Sequence, residues 1–178
     1  MSTNDNTQFE VAADFTKTIC LKLAEDKRIH AQTAISAAAR MAGTLLLRSS
    51  NLPLSLLKPG TPVFSDLLNS QGQRVFGTMG QTLARLKVPF DPRKLNYDLQ
   101  TENQPHMGLM EVQSLLDSPF HEILRRYSLT EEQGAYAAAV CAAILIYQWA
   151  GVVDPHVSYI IATYGIVEGC KTVPVSLN

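Results

Sequence analysis

The sequence predicts an all-α protein: a single compact multi-helix bundle of about six to eight helices with a central alanine-rich helix, one domain over residues 1–178. Three observations lead there. Apolar residues recur at helical spacing along most of the chain. Acceptor-proline steps and one capping-box pattern divide it at intervals suited to helix starts. The runs that could alternate with period two are too short and too rich in Ala and Leu for strands.

The steps are Thr61-Pro62, Asp91-Pro92, Ser118-Pro119 and Asp154-Pro155. Each sets a side-chain acceptor at an N-cap and Pro at the first helical position, where its missing N–H costs nothing. "TEEQ" at Thr130–Gln133 fits a capping box and puts two carboxylates in the positive first turn.

The first helix is expected over about Gln8–Glu25, where Val11, Phe15, Ile19 and Leu23 form one stripe, with residues 1–7 disordered. The second, about Arg28–Arg48, carries one charge, Arg40, between its ends and must be covered on most of its circumference. In "SSNLPLSLLKPG", Leu52, Leu54, Leu56 and Leu57 among prolines suggest a loop packed as a lid over an apolar edge. One or two helices follow over Pro62–Val88, with a break near Asn69–Gly72 and an apolar face of Val75, Met79, Leu83 and Leu86. Pro92–Leu99 is a candidate short helix in an otherwise long loop. Two short helices are expected at Met107–Leu116 and Pro119–Tyr127, then Glu131–Ala150 and Pro155–Cys170.

The run Ala135–Val153 has no charge and raises the question of a membrane span, which needs about 20 apolar residues. It is rich in alanine, Gln148 interrupts it, and the capping box and Asp154-Pro155 bound it, so a buried central helix is the expectation and no membrane span is assigned. Small residues at four-residue spacing (Gly134/Ala138/Ala142, Ala34/Ala38/Ala42, Gly165/Gly169) predict close helix approach.

Apolar residues make up 46% and charged residues 17%, below the usual ~25%, which favours extensive burial or a self-association interface. A net charge of -1 offers no field for phosphate backbones or acidic membranes, so no nucleic-acid partner is expected. Cys20, Cys141 and Cys170 lack redox or metal spacing and read as buried small hydrophobes in a reducing compartment. The polar start "MSTNDNTQFE" lacks the basic and apolar regions of a secretory signal, so a cytoplasmic location is expected.

No catalytic motif is present: Glu-x-x-His, H-E-x-x-H, G-x-S-x-G, the P-loop and G-x-G-x-x-G are all absent. No catalytic residue, metal or cofactor is assigned, and the chain leans away from being an enzyme. Asp26 and His30 would share a face if one helix were continuous there, offering two metal ligands or, more simply, a surface hydrogen bond. Pro105 separates Glu102 from His106. His121 and His156 fall in the first turns after prolines, where a solvated or capping role suffices. Glu168 is a lone carboxylate in a neutral helix. If buried it needs a partner, and Arg40 is the natural one; the plainer expectation puts both on exposed strips.

The leading functional expectation is association, as a homodimer or a helical adaptor for another protein, through the aromatics Tyr136, Tyr147, Trp149 and Tyr159. The alternative is an enzyme or a small-ligand or metal-binding protein with an interhelical pocket, whose first-choice polar groups are Asp26, His30, Arg40 and Glu168.

Overall fold

The computed structural model describes residues 3–26, 28–64, 66 and 68–175. Among them lie six α-helices: α1 (Thr3–Leu23), α2 (Ala31–Arg48), α3 (Gln73–Arg85), α4 (Leu109–Arg126), α5 (Glu131–Gln148) and α6 (Pro155–Cys170). They form a helical bundle with no strand among the described residues; isolated backbone bridges occur at Glu25/Arg28 and Pro62/Thr172.

The most enclosed element is α2. From Ala31 to Leu47 every residue except Gln32 is buried, because α5 and α6 both pack along it and α4 and α1 add to the cover. The alanine-rich α5 is buried from Gly134 to Ile146 over most of its surface. No described helix is long and apolar enough to cross a membrane. The charge-poor run is covered by the chain's own helices as far as Ile146, beyond which Tyr147 and Val152 are exposed.

The contact between α2 and α6 is made backbone to backbone. A Cβ on Gly43 would sit 2.7 Å from the Cys170 amide nitrogen, and one on Gly169 would sit 2.8 Å from that of Thr44. Neither is tolerable for real atoms. Gly165 closes the same seam against Ala39 and the Ser36 carbonyl. The small-residue spacing in α6 is used here, with Gly43 as its complement in α2.

On the other side of the core, α1 presents Val11, Phe15 and Ile19 as its stripe foretold, and Phe15 stacks on Phe120 of α4 with centroids 3.8 Å apart and planes 2° from parallel. The helix begins at Thr3 rather than near Gln8, since Phe9 already packs on the core and anchors the preceding turn; Met1 and Ser2 lie outside the described residues.

Two of the four proline steps do not start helices. Ser118-Pro119 lies inside α4, which runs unbroken from Leu109. Val112, Leu116, Phe120 and Leu124 share its buried face across the proline, and that common burial outweighs the ~3 kcal/mol cost of an interior Pro. Thr61-Pro62 lies in extended chain paired with the C-terminal segment, with Val63 N–H donating to the Lys171 carbonyl (2.7 Å) and Val173 N–H to that of Thr61 (2.9 Å). Asp91-Pro92 begins only a 3₁₀ turn, Pro92–Lys94. Asp154-Pro155 starts α6, and Thr130 caps α5 reciprocally with Gln133. A π turn at Leu68–Gly72 leads straight into α3 where a break was expected. Leu52 and Leu54 pack on Leu47, Val63 and Val173, but Leu56 and Leu57 are exposed, so the expected lid covers with only half of its leucines.

Polar side chains join α2, α4, α5 and the C-terminal segment. Gln113 Nε2 donates to Thr44 Oγ1 (2.9 Å), Arg48 pairs with Asp117 and donates to the Val175 carbonyl (2.6 Å). His121 lies deep in α4 rather than in its first turn, because α4 starts ten residues before Pro119 rather than at it. Its Nδ1 meets the Asp117 carbonyl at 2.8 Å and its Nε2 meets Glu131 Oε1 at 2.9 Å. Burial alone would lower its pKa, but the hydrogen bonds to Asp117 and Glu131 outweigh that and raise it to about 9.

Two outcomes follow. Gly169→Ala must separate α2 from α6 and should lose about 3 kcal/mol or more in a urea titration, whereas Gly77→Ala, whose Cβ meets nothing within 4 Å, should gain about 0.5–1 kcal/mol. His121 binds its proton more tightly folded than unfolded, so its contribution is complete below about pH 6.5 and is lost as pH rises through about 9. His121→Gln should flatten that alkaline decline in urea midpoints measured between the two values.

Candidate functional site

Between α3 and α4 the chain runs from Leu86 to Gly108 without an α-helix, with only the short turns Pro92–Lys94 and Thr101–Asn103. Pro89, Pro92 and Pro105 remove backbone donors and hold their neighbours extended, which excludes the Pro92–Leu99 helix. A loop of this length needs partners for its backbone. It finds them on α6 and α2 and lies across both as a strap.

Its first anchor is Phe90, whose ring lies 4.4 Å from that of Tyr159 and 5.5 Å from that of His156. Asp91 N–H donates to His156 Nε2 (3.1 Å), which leaves Nδ1 to donate to Asp154 Oδ1 (3.0 Å) and fixes a neutral tautomer. Further along, Tyr164 donates its hydroxyl to the Tyr97 carbonyl (2.7 Å). At the far end His106 N–H donates to Thr33 Oγ1 (2.9 Å), and Arg40 Nη1 donates to the Met107 carbonyl.

Beneath the strap, against α2 and α6, is an open cleft of about 400 Å³. Its polar wall is Arg40, Glu168, Ser36 and Gln104; Leu99 and Ile161 supply apolar surface, and Tyr97 and Tyr164 line it as well. Arg40 is 9% exposed, so it does not lie on an exposed strip. It reaches past the α2/α6 crossing and donates Nε to Glu168 Oε2 at 2.7 Å, while Glu168 itself is partly open to solvent. Among the described residues the guanidinium donates only to Glu168 and Met107, which leaves part of its five-donor fork unspent.

A second cleft, about 710 Å³, lies where the α1–α2 connection meets the end of the strap. Asp26 and His30 line it, though not on one helix: α1 stops at Leu23, Asp26 turns with φ 48° between the mutually hydrogen-bonded Glu25 and Arg28, and His30 precedes α2. The shared helix face expected of this pair does not exist. His30 stacks on His106 instead, centroids 3.6 Å apart and planes 11° from parallel, and its Nδ1 lies 2.7 Å from Thr33 Oγ1. Burial, and secondarily the neighbouring His106, lower the His30 pKa. Parallel rings do not converge their nitrogens on one point, and among the described residues no three His, Cys, Asp or Glu side chains gather as a metal site would require.

The four polar candidates thus divide, Asp26 and His30 in one cleft and Arg40 and Glu168 in the other, with Met107 joining the two. Of the four candidate interface aromatics, Tyr147 is 52% exposed. Tyr136 is half-buried and bonded to Glu132 (3.1 Å), Trp149 packs on the core, and Tyr159 packs under Phe90. Cys141 and Cys170 are buried, and burial pushes each thiol up to about 12, which leaves them protonated and unreactive; Cys20 is only half-buried.

Tyr97 and Thr33 were not singled out by sequence, and Tyr164 and His106 did not enter the candidate pocket. Pro105 correctly separated His106 from Glu102, but its actual neighbour, His30, is remote in the chain and no local spacing marks it. No family model matches this chain, and no curated protein or solved structure matches it either.

Proposed function

We propose that this protein binds a small organic ligand in the cleft between α2, α6 and the strap. The observation that carries the reading is Arg40: a largely buried side chain held by Glu168 and the Met107 carbonyl, whose remaining donors are open at the wall of a cleft. A cleft of about 400 Å³ with a few polar groups on an apolar background has the dimensions of small-molecule sites. The strap supports the reading too, since long irregular segments in compact domains commonly cover binding sites.

The test is a chemical-shift titration against a collection of small polar organic compounds, with Arg40→Lys as the companion variant. Binding should shift resonances of Tyr97, Gln104, Tyr164 and Glu168, and Arg40→Lys, which keeps a cation but loses the planar fork, should weaken it by about tenfold. If no compound shifts those residues at millimolar concentration, the cleft is not a ligand site.

Association through an apolar surface is the second reading, favoured by Phe64 at 93% and Leu56 at 82% exposure on one connecting segment. Light scattering across a concentration range should then show a dimer that Phe64→Ser with Leu56→Ser converts to monomer. A monomer at all concentrations removes the homodimer form of this reading.

A further inference from the structure

The cleft under the strap has a specific chemical character. Of the residues that line it, Arg40 is the one cation and Glu168 the one carboxylate, and they are already paired at 2.7 Å. Their charges cancel at contact distance. A phosphate or other polyanion would meet no net positive field there, because Glu168 stands against the guanidinium and would repel it. The cleft therefore disfavours charged ligands and suits neutral ones.

The same pair offers donors and acceptors side by side. The guanidinium has N–H groups unspent, and Glu168 uses Oε2 toward Arg40 while Oε1 accepts no hydrogen bond among the described residues. A ligand complementary to both must carry an acceptor next to a donor on one edge. Gln104, also on the wall, can add one of either kind.

The aromatic groups restrict shape. Tyr97 and Tyr164 both line the cleft, one from the strap and one from α6, and are joined by the Tyr164 hydroxyl to the Tyr97 carbonyl. They are 53% and 45% exposed, so both leave side-chain surface accessible where they line the cleft. Gly165 and Ser36, at the α2/α6 crossing, line it as well and add little side-chain bulk.

Flat faces to stack on, a donor beside an acceptor on one edge, no net charge and a volume of about 400 Å³ describe a nucleobase more closely than a sugar, an amino acid or a fatty chain. We infer that the cleft takes an uncharged purine-type base or nucleoside, its ring against Tyr97 and Tyr164, an acceptor of its edge toward Arg40 and a ring or exocyclic N–H toward Glu168. This rests on the reading of the cleft as a ligand site.

The experiment is a titration of the full chain with guanosine, inosine and adenosine, with ribose and inorganic phosphate as comparison probes, followed by ligand-observed NMR and by calorimetry. At least one purine nucleoside should bind saturably, with upfield ring-current shifts of its base protons; ribose and phosphate should not compete. Tyr97→Ala, on the exposed strap and outside the core, should weaken binding by about tenfold while Tyr97→Phe restores it. Glu168→Gln should weaken it as well, with circular dichroism checking the fold. Purine binding without ring-current shifts, indifference to Tyr97→Ala, or equal competition by phosphate would each overturn the assignment. If another class of compound shifts Tyr97, Tyr164 and Glu168 while purines do not, the purine assignment fails and the ligand site stands. If nothing shifts them, both fail.

Discussion

The backbone of α6 lies directly against the backbone of α2 at Gly43, Gly165 and Gly169, and the rest of the molecule is arranged around that seam. Side chains at these positions would hold the helices at an ordinary 8–10 Å separation. Without them, α2 is gripped between α5 and α6 along its whole length, which explains how a helix with one interior charge is covered. The seam also determines what that charge can reach. Arg40 and Glu168 flank the glycine contact and bond one another directly across it. The feature that packs the core and the feature that furnishes the cleft are thus one.

The strap follows from the same economy of side chains. Where α2 and α6 meet with Gly165, Ser36 and Ala39, no bulky residue fills the outer angle between them, and a segment too rich in proline to become a helix crosses that angle. Its backbone is held chiefly by side chains rather than by a ladder: His156 at one end, Tyr164 in the middle, Thr33 and Arg40 at the other. Between Tyr97 and Gln104 it carries only an exposed 3₁₀ turn. The stretch over the cleft is attached by hydrogen bonds near its ends and, between them, by Leu99, which packs on the core.

Elements whose signal is local could be read from the sequence. The stripe of α1, the reciprocal Thr130/Gln133 cap and the Asp154-Pro155 start each involve groups within a turn or two of one another. The same proline rule failed at Ser118-Pro119 and Thr61-Pro62, where distant partners decide the outcome: Phe15 and the core keep α4 continuous, and residues 171–173 hold Pro62 extended. Asp26 and His30 were joined by spacing that presumed one helix, and the chain turns between them. Arg40 and Glu168 could be named as partners because each is conspicuous in a neutral helix, yet the burial of Arg40 depends on the crossing geometry, which charge patterning does not encode. Tyr97 had no local mark, and His106 was marked only by its spacing from Glu102, which Pro105 breaks, since an irregular strap has no period from which facing can be inferred.

The Arg40–Glu168 pair remains a poor device for stability alone. Removing a guanidinium from water costs several kcal/mol, and its attraction to a carboxylate that keeps contact with solvent repays that only in part. An apolar residue of similar length on α2 could cover the same core at equal or lower free energy, since the glycine seam, not the ion pair, holds α2 and α6 together. What the guanidinium provides that an apolar side chain could not is direction: it pins the strap at the Met107 carbonyl, orients the Glu168 carboxylate, and presents further donors where α2, α6 and the strap converge. A costly charge is then accounted for by what it positions rather than by what it stabilises.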